Sequence, residues 1–403
     1  MGLVTFKILF WFAAFIVFYT YIGYGLLLYG AVLLKRLFSG KGESNLSVQE
    51  DKDLPHVSFV VAAYNEESWI VDKIENCLAF DYPKDKIELV FVTDGSNDNT
   101  PNYIENYPFP KGVNWKLYHS AARKGKIAAV ERIMEFINNP ITIYTDANTD
   151  VNKEAIKRIV AHYKDPKVGG VAGEKRVSML EEDSANSVGE GFYWKYESSL
   201  KRWDSELNSV VGAAGELFSL RTELYQAVPS DTVIEDFYMT LKIAMQGYTI
   251  KYESGAYAVE TASASVGEEL KRKIRIAAGG HQAISRLLPL LNIFKYKTLS
   301  FQYISHRVLR WTLTPVAMIL LFFVNIVLAI FGSTFYKVIL VLQLGFYLLA
   351  LIGYLLEKRK LKFKPFFIPY YFCVMNYAVI KGFFRFIKGS QSVVWEKAKR
   401  VEV

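Results

Sequence analysis

Cysteine is almost missing from this chain: Cys77 and Cys373 are the only two in 403 residues. That excludes a disulfide framework and any metal site built from cysteine. Histidine is scarce as well, and His56, His119, His162, His281 and His306 are scattered without the spacing of zinc ligands. No glycine-rich loop follows the first strand-like segment, whose turn reads Ala62-Ala63-Tyr64-Asn65-Glu66-Glu67. A dinucleotide-dependent oxidoreductase is set aside on that ground, since its pyrophosphate needs glycines for close backbone approach. The sequence holds no internal repeat, no low-complexity tract and no nucleic-acid-binding motif.

What the chain has in quantity is apolar and aromatic residues, 51% and 15% of the total, crowded toward both ends. The formal charge of +8 fits an anionic membrane surface, because lysine and arginine gather beside the apolar runs. Residues 3–34 are apolar apart from Thr, Tyr, Gly and one Lys, and Lys35-Arg36 follow at once. That run exceeds the ~20 residues a spanning helix needs. It is also too long for a signal-peptide core and lacks a small-residue cleavage site. Residues 1–36 therefore read as a transmembrane helix. The positive-inside rule puts Lys35-Arg36 and the domain behind them in the cytoplasm.

Residues 313–403 form a second membrane region with a basic tail. Within it, residues 313–331 and 338–356 are long enough to span, while 366–387, with Pro369, Asn376 and Lys381, is a weaker third segment. The loop 357–364, carrying Lys358, Arg359, Lys360, Lys362 and Lys364, suits a return to the cytoplasm. A third full span would place the tail, with Lys388, Lys397, Lys399 and Arg400, outside against the charge rule. An interfacial or re-entrant course for 366–387 stays open.

Between these ends the pattern changes. Residues 37–53 are a polar linker, and residues 54–266 alternate strand-like and helix-like runs. Strands are predicted at 56–62, 87–93, 113–119 and 141–145, with helices at 66–80 and 125–138. The alternation implies an α/β domain with a doubly wound, mostly parallel sheet. Residues 189–208 have amphipathic spacing, with Phe192, Tyr193, Trp194, Tyr196, Leu200, Trp203 and Leu207 among Lys and Glu. Residues 267–312 read as amphipathic interface helices, with His306, Arg307, Arg310 and Trp311 at headgroup depth.

The strand 141–145 ends in Asp146-Ala147-Asn148-Thr149-Asp150. In an open α/β sheet ligands collect beyond the carboxyl ends of strands. Oxygen ligands there suit Mg²⁺ or Mn²⁺, which keep waters and lean on substrate phosphates. A polar turn capping the next helix has the same composition, and Asp150 reads as such a cap in preference to a further ligand. The first strand ends in Tyr64-Asn65-Glu66 and the second in Asp94-Gly95-Ser96. Both turns suit contact with a nucleotide, and both suit a plain turn.

Taken in order, these motifs resemble the family 2 glycosyltransferases of GT-A fold, above all the membrane-bound cellulose, hyaluronan and poly-N-acetylglucosamine synthases. The resemblance covers residues 54–311, and the flanking apolar helices match that layout. It implies that Ala63, Tyr64, Glu66 and Asp94 hold the nucleotide, with Lys126 of Arg123-Lys124-Gly125-Lys126 assisting. Asp146 and Asn148 stand at the family's Asp-x-Asp motif, contacting the cation and the diphosphate. Asn in the third position implies weaker metal binding. Val233-Ile234-Glu235-Asp236 resembles the Thr-Glu-Asp motif, which makes Asp236 the general base with Glu235 in support. Gly212-Ala213-Ala214-Gly215-Glu216 resembles the acceptor-site floor, so Gly212, Gly215 and Glu216 are expected there.

The Gln-x-x-Arg-Trp motif of processive members is altered to Arg272-Lys273-Ile274-Arg275-Ile276. Arg275 keeps the arginine that would neutralise the leaving diphosphate, and Arg272 is expected at the nucleotide sugar. The stacking tryptophan has become Ile276, which puts processive synthesis in doubt. The resemblance implies an inverting, metal-dependent hexosyltransferase of the inner cell membrane, multi-pass, with its catalytic domain in the cytoplasm. Its partners would be a UDP-linked sugar, a glycan or lipid-linked acceptor, and membrane lipids. A non-catalytic nucleotide-sugar sensor or assembly partner is the alternative.

Overall fold

The computed structural model describes residues 2–39, 51–178, 185–261, 266–359 and 364–389. Most of the linker 37–53, the loop lysines Lys360 and Lys362, the tail residues Lys397, Lys399 and Arg400, and the side chains of Phe192 and Tyr193 fall outside the described residues.

Eight strands among the described residues form one sheet: β1 Val57–Ala63, β2 Ile87–Asp94, β3 Asn114–Ser120, β4 Ile141–Asp146, β5 Thr149–Val151, β6 Val168–Ser178, β7 Leu217–Arg221 and β8 Thr249–Thr261. Their order is β3-β2-β1-β4-β7-β6-β8-β5. Strands β1 to β4 are parallel neighbours, β7 runs antiparallel between β4 and β6, and β6 and β8 are parallel again. The expected mostly parallel, doubly wound sheet is what forms. Strands β1 and β2 are buried on both faces, which is why they read as continuous apolar runs without alternation.

Helices α1 Gly2–Phe18 and α2 Tyr24–Ser39 precede the sheet, joined by a π-helical turn Tyr19–Gly23. Within the domain lie α3 Ile70–Leu78, α4 Thr100–Glu105, α5 Lys126–Met134, α6 Ala155–His162, α7 Ala185–Leu207 and α8 Glu235–Met245. One face of the sheet packs on α5 and α8 through Val60, Val90, Ile133, Phe218 and Leu241. The other packs on α3 and α6 through Phe59, Phe91, Ile74, Ile143 and Ile159. Each fully buried side chain of this size contributes about 1.5–3 kcal/mol, and together they fix the strand ends where the candidate site lies.

After the sheet come α9 Val266–Arg286, the short helices α10 Ile293–Tyr296, α11 Thr298–Tyr303 and α12 Leu309–Trp311, then α13 Leu313–Phe331, α14 Thr334–Lys358 and α15 Lys364–Ile387. A second π-helical turn, Ile304–Val308, separates α11 from α12. Three helices among the described residues are long and apolar enough to cross a membrane: Gly2–Phe38, Leu313–Phe331 and Thr334–Lys358.

The first of these does two jobs. Its α1 half packs along α13 through Phe10, Ala13, Ile16, Ala317 and Leu328. Its α2 half packs on α7 through Tyr24, Leu28 and Leu200. Lys35 donates to the carbonyls of Glu206 and Leu207 at 2.6 and 3.0 Å, capping the end of α7, and Arg36 grips Glu206. The helix α15 runs beside α14 and then along α9, where Gly382 allows backbone-close contact with Ala277 and Ala278.

The segment 298–312 departs from the surface position expected for it. His306, Arg307 and Arg310 are buried, 0%, 9% and 7% exposed, because α7 supplies their counter-ions. Glu197 takes Arg307 at 2.6 Å and Arg310 at 2.9 Å, and Asp204 takes His306 at 2.6 Å. Tyr24 and Gln302 also donate to Asp204, so this ion cluster joins the N-terminal helix, α7 and the α11–α12 segment.

Candidate active site

The site is built at the carboxyl ends of β1, β2 and β4. Ala63 ends β1 in register with Thr93, so the turns after β1 and β2 lie side by side. They are stitched together: Asn65, at φ 52°, donates its backbone N–H to Ser96 Oγ, and its side-chain amide pairs with Asn97. Glu66 is buried, and its N–H donates to Thr100 Oγ1 at 2.8 Å. The Tyr64 ring lies under the Arg123 guanidinium at 3.7 Å.

Asp94 holds the neighbouring loop. Its Oδ2 accepts the backbone N–H groups of Lys124 and Gly125 at 2.7 and 2.6 Å, and Gly125 takes φ 98° to present them. Its buried Oδ1 makes no hydrogen bond, with Arg132 at 3.6 Å. An acceptor oxygen left so at a strand tip is placed to receive an N–H of a ligand. The same loop starts α5 and so aims Lys126.

Lys126 is the hub of the charged centre. Its ammonium, 8% exposed, stands 2.7 Å from Asp146 Oδ1 and 3.2 Å from Glu235 Oε1. A methyl group added to Gly215 would lie 3.5 Å from both Lys126 Nζ and Asp236 Oδ2. The charges of Glu235, Asp146 and Asp236 all bear on Arg275. Four side chains from β4, α5 and α8 therefore meet, floored by Gly215, with Arg275 of α9 within the field of their charges.

Burial and the neighbouring Glu235 push the Asp236 carboxyl up to about 7. Burial likewise raises Asp146, and Lys126 opposes that shift. Burial works against the charge of Lys126, but Asp146 and Glu235 outweigh it and hold the ammonium above its usual range. A carboxylate titrating near neutrality beside a fixed cation is poised to accept a proton.

The surroundings explain this placement. Gly212 sits at φ 86°, and a Cβ there would come within 2.0 Å of the Phe237 ring, so glycine lets α8 close on the loop. Gln282 of α9 accepts the N–H of Val233 at 3.1 Å, and Gly279 packs against Val233 and Ile234. These contacts hold Arg275 on the same helix as the strut of the Glu235–Asp236 turn. Lys73, buried under β4, donates to Thr149 O at 2.8 Å and supports the turn carrying Asp146 and Asn148. Asp150 lies exposed in β5 and caps no helix.

Two expected site residues make their ion pairs in a neighbouring cluster. Glu216 is bonded to Lys175, which also binds Glu260, and Arg272 reaches Glu260 at 3.2 Å, Glu269 at 3.3 Å and Glu216 at 4.0 Å. Burial resists the charge of Glu216, and Lys175 and Arg272 overcome it to hold the carboxyl low. Sequence reasoning missed Lys175 and Glu260. Alternation in β6 and β8 points them inward, but nothing local announces a buried ion pair.

The residues expected at a cation, Asp146 and Asn148, stand at the end of β4 and in the turn that follows it. No group of three His, Cys, Asp or Glu that could hold a metal occurs among the described residues. That donor set suits a divalent ion only when substrate phosphates and water complete its shell, which is the usual way Mg²⁺ is held.

The architecture is that of a GT-A-type fold, with carboxylates at its strand tips. Residues 58–228 match the family profile described as Glycosyl transferase family 2, and this stretch is a family 2 glycosyltransferase domain. The poly-beta-1,6-N-acetyl-D-glucosamine synthase of Staphylococcus epidermidis is 26% identical over 250 residues, 60% of this chain and 59% of the relative. The Staphylococcus aureus enzyme of the same name is 27% identical over 241 residues, 58% of this chain and 57% of the relative. The chain thus matches less than two thirds of the length of these relatives. Among solved structures, the Pyrobaculum calidifontis mannosyltransferase PcManGT, in complex with GDP-Man and Mn²⁺, superposes with a TM-score of 0.68 at 21% identity. The superposition covers 94% of this chain and 99% of that one, so the apolar helices as well as the sheet share its fold.

Proposed function

We propose that the protein is a membrane-embedded, inverting hexosyltransferase. It would take a nucleotide sugar, UDP-linked, at the cytoplasmic face and transfer the sugar to a glycan or lipid-linked acceptor for cell-surface glycan synthesis. The observation that carries this reading is the meeting of Lys126, Asp146, Glu235 and Asp236 over Gly215. A sensor needs no base, and a buried carboxylate titrating near 7 is a costly thing to keep without a proton to move. The names of the staphylococcal relatives favour N-acetylglucosamine as the sugar and a polymer as the product.

In the reaction the acceptor hydroxyl oxygen attacks the anomeric carbon while its proton passes to an Asp236 carboxylate oxygen. The bond from that carbon to the diphosphate oxygen breaks on the opposite side, so configuration inverts. Lys126 and Arg275 balance the charge gathering on the departing diphosphate. A divalent cation held by Asp146 and Asn148 would add to that neutralisation. Asp94, through its unbonded Oδ1, receives the base, and Tyr64 and Glu66 border it. Glu235 holds Lys126 and keeps Asp236 basic through its charge.

The test is a panel of UDP- and GDP-sugars offered to the protein in nanodiscs, with and without Mn²⁺, followed by mass analysis of the product. Metal-dependent transfer from one donor is expected. Nucleotide binding without turnover of any donor would overturn the reading in favour of a sensor.

A further inference from the structure

Helix α7 carries Trp194, Glu197, Lys201 and Asp204 at helical spacing. Glu197 and Asp204 are answered by Arg307, Arg310 and His306, as described above. Lys201 is not answered. It is 5% exposed, and among the described residues its ammonium makes neither a hydrogen bond nor an ion pair. What surrounds it are rings: Trp194 and Tyr252, each with its centroid 5.8 Å from Nζ. Beyond Tyr252, Glu174 accepts the Tyr252 hydroxyl at 2.6 Å and also the Ser198 hydroxyl, and makes no ion pair with Lys201.

Two further lysines close on the same indole, Lys175 at 5.6 Å and Lys273 at 5.3 Å from its centroid. Lys175 has Glu216 and Glu260 as counter-ions, and Lys273 has Glu269 at 3.2 Å. Of the three lysines on this indole, Lys201 alone has no counter-ion at ion-pair distance among the described residues. A largely buried side chain whose ammonium has no counter-ion is costly, and an anion brought to it relieves that cost. Burial does lower its proton affinity, while the charges of Glu197, Glu216 and Glu174 oppose that shift.

Its position says which substrate would bring the anion. The donor's polar groups belong at the tips of β1, β2 and β4, where Asp94 and Lys126 lie. Lys201 follows Leu200, which packs on Tyr24 and Leu28 of the N-terminal helix, so α7 faces the membrane end of the domain. Lys175, which shares the Trp194 indole with Lys201, binds Glu216, the residue after Gly215 at the floor of the reacting centre, so Glu216 links this cluster to that centre.

We infer that Lys201, beside Trp194, binds an anionic group of the acceptor, a phosphate or a carboxylate, and so sets which acceptors are taken. The inference rests on the transferase reading above. The experiment offers three acceptors carrying the same terminal sugar to wild type, Lys201→Met and Lys201→Arg in nanodiscs. One has a short isoprenyl phosphate, one a uronic acid next to the terminal sugar on an alkyl chain, and one a neutral alkyl chain.

Wild type is expected to use one of the two anionic acceptors with a KM at least tenfold below the neutral one. Which of them it is distinguishes a lipid phosphate from an acidic glycan. Lys201→Met should lose that preference through KM, and Lys201→Arg should keep it. Equal KM values for all three acceptors in wild type, or an undiminished preference in Lys201→Met, would overturn the inference. UDP affinity of each preparation reports whether the domain is folded. If no acceptor is glycosylated at all, the transferase reading is what fails. A fluorescent isoprenyl phosphate then still tests the site: binding that is equal in wild type and Lys201→Met overturns it, and weaker binding in the variant supports it.

Discussion

Replacing Asp236 with Asn separates the chemistry of this centre from its stability. The carboxyl is raised from an ordinary 3.8 to about 7 by burial and by Glu235, so the folded protein holds this proton more tightly than the unfolded chain does. The stabilising contribution is therefore complete below the unfolded value and lost as pH climbs toward 7. By pH 8 the ionised carboxylate costs at most about 4 kcal/mol, and the group's partial exposure lowers that figure.

Asp236→Asn should accordingly melt at a higher temperature than wild type at pH 8, with the gap narrowing as pH falls toward 5 and closing only below the unfolded value near 3.8. Activity runs the other way. The base must be ionised, so about a tenth of wild-type molecules are competent at pH 6 and about nine-tenths at pH 8, a roughly tenfold rise in kcat/KM. Asp236→Asn should lower transfer by ~10²–10⁴-fold at every pH, with UDP affinity changed only a few-fold. The assays are initial transfer rates and thermal unfolding from pH 5 to 8. A flat wild-type rate profile, or UDP binding lost in the Asn variant, would refute the assignment of the base.

Three further outcomes follow from the geometry. Gly212→Ala should cost about 1–3 kcal/mol by forcing a side chain to positive φ, and more through the Phe237 contact; unfolding curves should show partial rescue by Phe237→Leu. Chelation should reduce transfer, and Asn148→Asp, by adding a charge at the cation position, should lower the Mn²⁺ concentration needed for half-maximal rate. Glu197→Gln leaves Arg307 and Arg310 buried without their carboxylate, so the loss expected is about 3–5 kcal/mol; unfolding temperature and resistance to proteolysis between α7 and α12 would register it.

The first four strands were legible because each is a short apolar run closed by a polar turn, and their observed limits fall within one residue of the expected ones. The later strands were not read. β7 is five residues inserted antiparallel, and the 13 residues of β8 alternate in burial against partners distant in sequence. The charged centre was legible as motifs, but motifs do not reveal that Lys126 pairs with both Asp146 and Glu235. His306, Arg307 and Arg310 looked like headgroup anchors because their counter-ions, Glu197 and Asp204, lie about a hundred residues away. Lys201 passed as one more cation on an amphipathic helix for a similar reason: only packing shows that its neighbours are rings.

The most direct check on the central claim is an experimental structure of the protein in lipid with UDP and Mn²⁺. The account predicts the base against Asp94, the diphosphate and ion at Asp146 and Asn148, and Asp236 facing the vacant sugar position. A nucleotide bound elsewhere, or Asp94, Asp146 and Asp236 lining separate cavities, would contradict it.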